Sequence, residues 1–193
     1  MNYNKVKFMT GNLGKFEDLK TVIPGLLLEK PLIDVEEVES QDPYLVALYK
    51  AKDMYVKNNM NSFMLIEDTS LFIEGEEIGT NIKHLKHRLP DLTGKKAKWI
   101  TVISSCDGFM VKSYVGISEG VISKETGVSN NGFDRYFIPN GEKLTLSELH
   151  DIGKKAPYSA RIKAGEKFQS DTRYEQEEMT LIPDWTGEYQ KEN

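Results

Sequence analysis

Apolar and polar positions along this chain switch between two periods. Residues 5–10 (KVKFMT) form a short apolar run suited to a strand. From Lys15 the period lengthens: Phe16, Leu19 and Ile23 fall at i, i+3 and i+7, one face of a helix that Pro24-Gly25 stops. Residues 26–30 (LLLEK) and 32–35 (LIDV) suggest a second extended stretch. Asp42-Pro43 is a helix start, since Asp can accept bonds from free amides and Pro fits the first turn. That helix is expected to carry Tyr44, Leu48, Ala51 and Tyr55 on its apolar stripe, with Lys50 near the edge and Asp53 and Lys57 opposite. Residues 63–66 (FMLI) are apolar without alternation, as in a strand covered on both faces.

Residues 79–89 can form a helix. Residues 96–106, 109–118 and 119–125 read as three strands separated by short turns, antiparallel to one another. Residues 132–143 (GFDRYFIPNGEK) are a loop or strand with turn chemistry. Thr145 and Glu148 make a capping box, residues 157–178 read as helix, and the tail after Pro183 is expected to be frayed. No repeat, low-complexity tract or linker interrupts the pattern. The expected class is α/β, with a mixed sheet flanked by helices.

Length and charge narrow the classes of function. The 193 residues fit one domain with room for two lobes. A formal net charge of -5 disfavours a general nucleic-acid binder, which gains affinity from a surplus of Lys and Arg, but leaves a small phosphorylated ligand open. Cys106 is the one cysteine, so no intrachain disulfide can form; it reads as a core thiol in a reducing compartment. With no signal-peptide pattern and no run near the roughly 20 residues of a membrane span, a soluble, cytoplasmic protein without membrane or nucleic-acid partners is expected.

Two strands end in polar punctuation. The first runs into Thr10-Gly11-Asn12-Leu13-Gly14-Lys15 and a helix. Such a loop offers free amides and a partial positive charge to a phosphate, and Lys15 adds a full charge; the same residues also make an ordinary glycine turn. The second runs into Glu67-Asp68-Thr69-Ser70. Carboxylates at a strand end beside a phosphate are typical Mg²⁺ ligands, though both could instead cap the next turn. Alternation points the two to opposite faces, so only one is expected to reach a given site. The acidic residues 34–39 could add one more ligand. His84, His87 and His150 lack the spacing of a metal cluster.

Four segments in order resemble the inosine triphosphate pyrophosphatase family. They are the opening Thr10–Lys15, the central Glu67-Asp68-Thr69-Ser70-Leu71, Lys83 in GTNIK, and the loop from Gly132 to Gly141 followed by Lys155 to Arg161. The hairpin-like YVGISEGVI, residues 114–122, fits the same family. The resemblance implies a single two-lobed domain over residues 1–193 with a long mixed sheet and a central cleft, often a homodimer. It implies Mg²⁺-dependent hydrolysis of a nucleoside triphosphate to monophosphate and pyrophosphate. Thr10, Asn12, Lys15 and Lys50 would hold phosphates, with Thr69 and Lys83 beside them. Glu37 and Asp68 would bind the metal, and Asp68 would also orient or deprotonate the attacking water, with Lys15 assisting catalysis. Phe133, Asp134, Lys155 and Arg161 would contact substrate on the base side.

The chain departs from that pattern on the base side. The loop from Gly132 to Gly141 is shorter than the family's, Arg135 stands where proline is usual, and Ala160 replaces a histidine. Altered partners imply an altered base preference, for an aberrant purine or modified nucleotide. The alternative is a nucleotide-binding sensor or partner protein that has lost turnover.

Overall fold

The computed structural model describes residues 5–128 and 132–191. Its frame is a mixed seven-stranded sheet in the order β2-β1-β3-β4-β5-β6, with β7 also on β5. β1 (Val6–Met9) leads through helix α1 (Leu13–Lys20) to β2 (Leu26–Glu29), which pairs parallel to β1. Helix α2 (Pro43–Lys57) then crosses back to β3 (Met64–Ile73), parallel to the other edge of β1. β3, β4 (Lys96–Cys106) and β5 (Met110–Ile122) form a long antiparallel meander. Short β6 (Phe137–Pro139) and β7 (Glu175–Glu178) take the two ends of the remaining edge of β5.

The pleat of β3 sorts the core into two layers. Leu65 packs with Leu19, Ile23 and Phe168, under α1 and α5 (Ala160–Gln169). Further along that face, Leu71 and Ile73 pack with Trp99, Phe133, Phe137 and Leu149, the last from α4 (Leu146–Asp151). Met64 and Ile66 face the other way, onto Val46, Tyr49 and Met54 of α2. Period two along one strand thus sets which helix each side chain meets. No helix among the described residues is long and apolar enough to cross a membrane.

Several expected elements change. α2 starts where expected, with the Asp42 side chain accepting from the Tyr44 and Leu45 amides. Its buried stripe, however, is Pro43, Val46, Ala47, Tyr49, Ala51 and Met54. Tyr44 and Tyr55 sit at the rim, where Tyr44 stacks on Tyr174 at 4.1 Å and the Tyr55 hydroxyl donates to the Asp107 carbonyl. The helix expected over 79–89 is one turn, α3 (Ile82–Leu85), followed by 3-10 turns through Leu92, because Asn81 gives no side-chain cap and Pro90 has no N–H to donate. Residues 32–35 form no strand.

The two strands expected over 109–125 are one. Gly116 and Gly120 do not break β5; they admit neighbours, since a Cβ would lie 1.8 Å from the Ala160 carbonyl oxygen and 2.1 Å from that of Ile138. The expected helix over 157–178 ends at Gln169, and 175–178 joins the open edge of β5 instead. As far as residue 191 the tail is not frayed: Trp185 packs edge-on against Tyr49, and Tyr189 bridges to Val38.

Candidate active site

β1 stops at Met9, paired no further along β3 than Leu65, whereas β3 continues to Ile73. The next contact on that edge of β3 is the bridge from Leu71 to Gly79. Residues 67–70 therefore border a notch in the sheet, and a cavity of about 340 Å³ occupies it. Glu67 and Asp68 lie in the middle of a ten-residue strand, not at its end. Their side chains do point to opposite faces, yet both line this cavity, because the notch opens onto the two faces at once. Thr10, Asn12, Lys15, Glu37, Lys50, Thr69, Lys83, Phe133, Asp134 and Arg161 line it too; Lys155 does not.

On the α2 face, Lys50 Nζ lies 2.6 Å from a Glu37 oxygen and 2.9 Å from an Asp68 oxygen. α2 aims Lys50 at the same face of β3 that carries Ile66 and Asp68. Burial raises the Glu37 carboxyl, but the Lys50 charge and hydrogen bond outweigh it, and Lys83 and Lys15 add to them, so Glu37 titrates below its ordinary value. Burial also raises Asp68; Lys50 pulls it down, the Glu37 charge pushes it up, and the balance is a carboxyl above its ordinary value. Burial alone would lower Lys50, and its two carboxylate partners overcome this and raise it.

On the opposite face, Glu67 is tied to Lys15 of α1 at 2.8 Å and lies 3.5 Å from Arg161 Nε of α5. The Thr69 hydroxyl, two residues along the same face, also donates to Glu67. Burial raises Glu67, but Arg161 and Lys15 dominate and bring its carboxyl down to about 2. Arg161 and Lys155 both donate to one oxygen of Asp18, at 2.8 and 2.9 Å, and Lys155 lies 2.8 Å from Asp134. Three carboxylates and two cations, Arg161 and Lys155, are thus buried together, and half-buried Lys15 completes the balance of formal charge, which is how such groups persist away from water.

The turn between β1 and α1 is built by its own polar side chains. Asn12 caps α1 by accepting from the Lys15 amide, and the Asn12 amide donates to the Thr10 hydroxyl. α1 thereby starts at the cavity with Lys15 one turn in. Lys83 enters from α3 and is exposed where it lines the cavity.

The far wall is aromatic. Phe133 packs edge-on against Trp99 at 5.4 Å, and the Arg161 guanidinium lies 5.6 Å from the Trp99 ring. Asp134 is buried, and burial holds its carboxyl above the ordinary value despite Lys155. Ala160, the first residue of α5, is fully buried and is not part of the cavity wall. Lys155 is 3% exposed and held between Asp18 and Asp134, one layer behind the wall it was expected to form.

Asp18 and Trp99 were not anticipated. Asp18 is three residues after Lys15 and next to Leu19, so it shares the buried side of α1; an acid in that position needs cations from elsewhere in the chain. Trp99 pairs across the sheet with Leu71, and its partnership with Phe133 and Arg161 joins segments far apart in sequence.

The donor set suits a hard divalent cation. Glu37 and Asp68 already flank a positive charge, the Lys50 ammonium, and both present oxygens to the cavity. Among the described residues no group of three or more His, Cys, Asp or Glu could hold a metal, so a cation here would complete its shell with water and ligand oxygens.

The chain resembles known proteins over most of its length. A dITP/XTP pyrophosphatase of Methanopyrus kandleri is 30% identical over 181 residues, covering 85% of this chain and 94% of that protein. One from Saccharolobus solfataricus is 28% identical over 178 residues, covering 85% and 91%. A HAM1 protein from Coxiella burnetii has the same fold, with a TM-score of 0.70 at 19% identity over 87% of this chain and 98% of that one. The sequence profile of the Ham1 family matches residues 6–171, most of the chain, and the protein belongs to the Ham1 family.

Proposed function

We propose that this chain is a pyrophosphohydrolase that converts a nucleoside triphosphate and water to the monophosphate and pyrophosphate, with Mg²⁺ as cofactor. The observation that carries this reading is the convergence of Lys15, Lys50 and Lys83 with Glu37 and Asp68 on one cavity. A triphosphate is a polyanion, and three lysines beside a helix start provide the field it needs. The activity named for the relatives agrees with that chemistry.

In this reading the Thr10–Lys15 turn and Lys83 grip the phosphate chain. Glu37 and Asp68 would hold Mg²⁺, which when bound supplies positive charge against the phosphate oxygens. Asp68 orients the attacking water and takes its proton, a role helped by a carboxyl raised above its ordinary value. Water attacks the α-phosphorus, the bond to the bridging oxygen breaks, and pyrophosphate leaves with that oxygen against the lysines. Little covalent chemistry is asked of the protein, so positioning supplies most of the acceleration.

The base lies against Phe133 and Trp99, within reach of Arg161. A guanidinium has donors and no acceptor, so it favours a base with a keto oxygen at that edge. Apart from Arg161 and Asp134 this wall is aromatic, which points to an aberrant purine or modified base selected by few hydrogen bonds. The test is a pyrophosphate-release screen over inosine, xanthosine, standard and modified pyrimidine triphosphates, with and without Mg²⁺. Release from a keto-base nucleotide that depends on Mg²⁺ is expected. Tight binding without release from any of them would replace this reading with that of a nucleotide sensor.

A further inference from the structure

The Ham1 profile ends at residue 171, and the chain continues through β7 and a tail that returns to the site. That tail reaches the segment carrying Glu37. Residues 30–37 belong to no strand. The Gln190 amide donates to the Glu37 carbonyl at 2.8 Å, and the Glu39 amide donates to the Glu188 carbonyl at 2.8 Å. Val38 and Tyr189 form the antiparallel bridge between these two bonds.

The root of the tail is fastened to α2. Lys52 Nζ donates to the Ile182 and Pro183 carbonyls at 2.8 and 3.1 Å. Trp185 packs on Tyr49, and its indole N–H donates to the Glu188 carbonyl at 2.9 Å. α2 thus presents Lys50 to Glu37 while its neighbours Tyr49 and Lys52 grip the strap that holds the Glu37 backbone.

We propose that residues 182–191 are a positioning strap that fixes Glu37 for divalent-cation binding. Gln190 and Trp185 act as positioning residues, neither of which touches the substrate. The inference rests on Glu37 and Asp68 being the cation ligands of the proposed reaction. Outer contacts that orient a ligand commonly change metal affinity by about tenfold or more.

The test compares Gln190→Pro, which deletes the main-chain donor to Glu37, with Gln190→Ala, which keeps it, and with Trp185→Ala. Mn²⁺ binding is titrated by electron paramagnetic resonance without nucleotide, and turnover is followed against Mg²⁺ concentration. Gln190→Pro and Trp185→Ala should bind Mn²⁺ about tenfold more weakly and need correspondingly more Mg²⁺. At saturating Mg²⁺ their KM for nucleotide should stay within about twofold of the parent, and Gln190→Ala should lose at most about twofold in Mn²⁺ affinity. Equal Mn²⁺ affinity in the Pro variant and the parent overturns the strap. A strapless chain ending at Leu181 that binds Mn²⁺ like the parent overturns it too. Mn²⁺ binding needs no turnover, so a parent that binds the ion yet releases no pyrophosphate sinks the activity alone.

Discussion

Glu67 and Asp68 are neighbours in the chain, yet each is tied to a different lysine, Glu67 to Lys15 at 2.8 Å and Asp68 to Lys50 at 2.9 Å. The pleat separates them onto two faces of β3, and the notch beyond β1 lets both reach one cavity. Their roles divide accordingly. Glu67 neutralises the basic groups of the α1 and α5 face, while Asp68 belongs to the Lys50–Glu37 cluster, which in the proposed reaction would handle water and cation.

Asp68→Asn should leave the fold intact and reduce pyrophosphate release by at least about a hundredfold, the scale of a lost general base. Glu67→Gln should act mainly on stability, because Lys15 and Arg161 lose their shared carboxylate; about 3 kcal/mol is expected. Denaturant unfolding and steady-state turnover on both variants separate these outcomes. The assignment fails if Asp68→Asn turns over normally.

The Glu67 carboxyl also sets an acid limit. Its value of about 2 in the fold lies below the ordinary 4.5, so the folded state favours the charged form. The resulting stability is fully present above about pH 4.5 and is lost as pH falls towards about 2, by about 3 kcal/mol. Without divalent cations, the stability gap between the parent and Glu67→Gln should therefore be constant near neutrality and close as the solution is acidified through that window. A gap that widens on acidification would show the sign to be wrong.

Local chemistry was legible in the sequence where one segment decides it. The Asn12 turn, the Asp42 cap of α2 and the Thr145–Glu148 capping box form through side chains within three residues of the amides they bind. Legibility failed where a distant edge decides. The Glu-rich residues 175–178 read as helix and became β7, because β5 offers an unpaired edge there. Residues 109–118 and 119–125 read as two strands and are one, in which Gly116 and Gly120 receive α5 and β6. For the site, the Thr10–Lys15 turn and the acids were visible as cavity candidates, but the notch that joins the two faces depends on where β1 stops against β3. Asp18 was invisible for the same reason, since its partners lie more than 130 residues away.

Asp18 links Lys155 and Arg161 and shares α1 with Lys15, so it couples the aromatic wall to the Thr10–Lys15 turn. Asp18→Asn should cost about 3 kcal/mol in stability, because two buried cations lose a shared anion. It should also narrow the preference for keto-base over amino-base triphosphates, measured as the ratio of their kcat/KM values, as Arg161 loses its fixed direction. Asp18→Glu should restore part of that ratio. An unchanged ratio in Asp18→Asn would mean that Arg161 is held well enough by Glu67 and Trp99.

Lys50 holds Glu37 and Asp68 together through a positive charge, the service a divalent cation would also provide. Lys50→Met removes that charge while keeping a long side chain, and leaves two carboxylates facing one another. With chelator present the variant should be destabilised by about 3 kcal/mol, the scale of a broken buried pair. Added Mg²⁺ should restore more stability to it than to the parent, since an ion that binds the folded state stabilises by an amount set by its affinity, and the ammonium no longer competes. Turnover should stay low at every Mg²⁺ concentration, because in the proposed reaction Lys50 also faces the phosphates. Thermal unfolding of both proteins across a Mg²⁺ series reads this directly: parallel rises in the two midpoints would mean that the ion binds elsewhere than between Glu37 and Asp68.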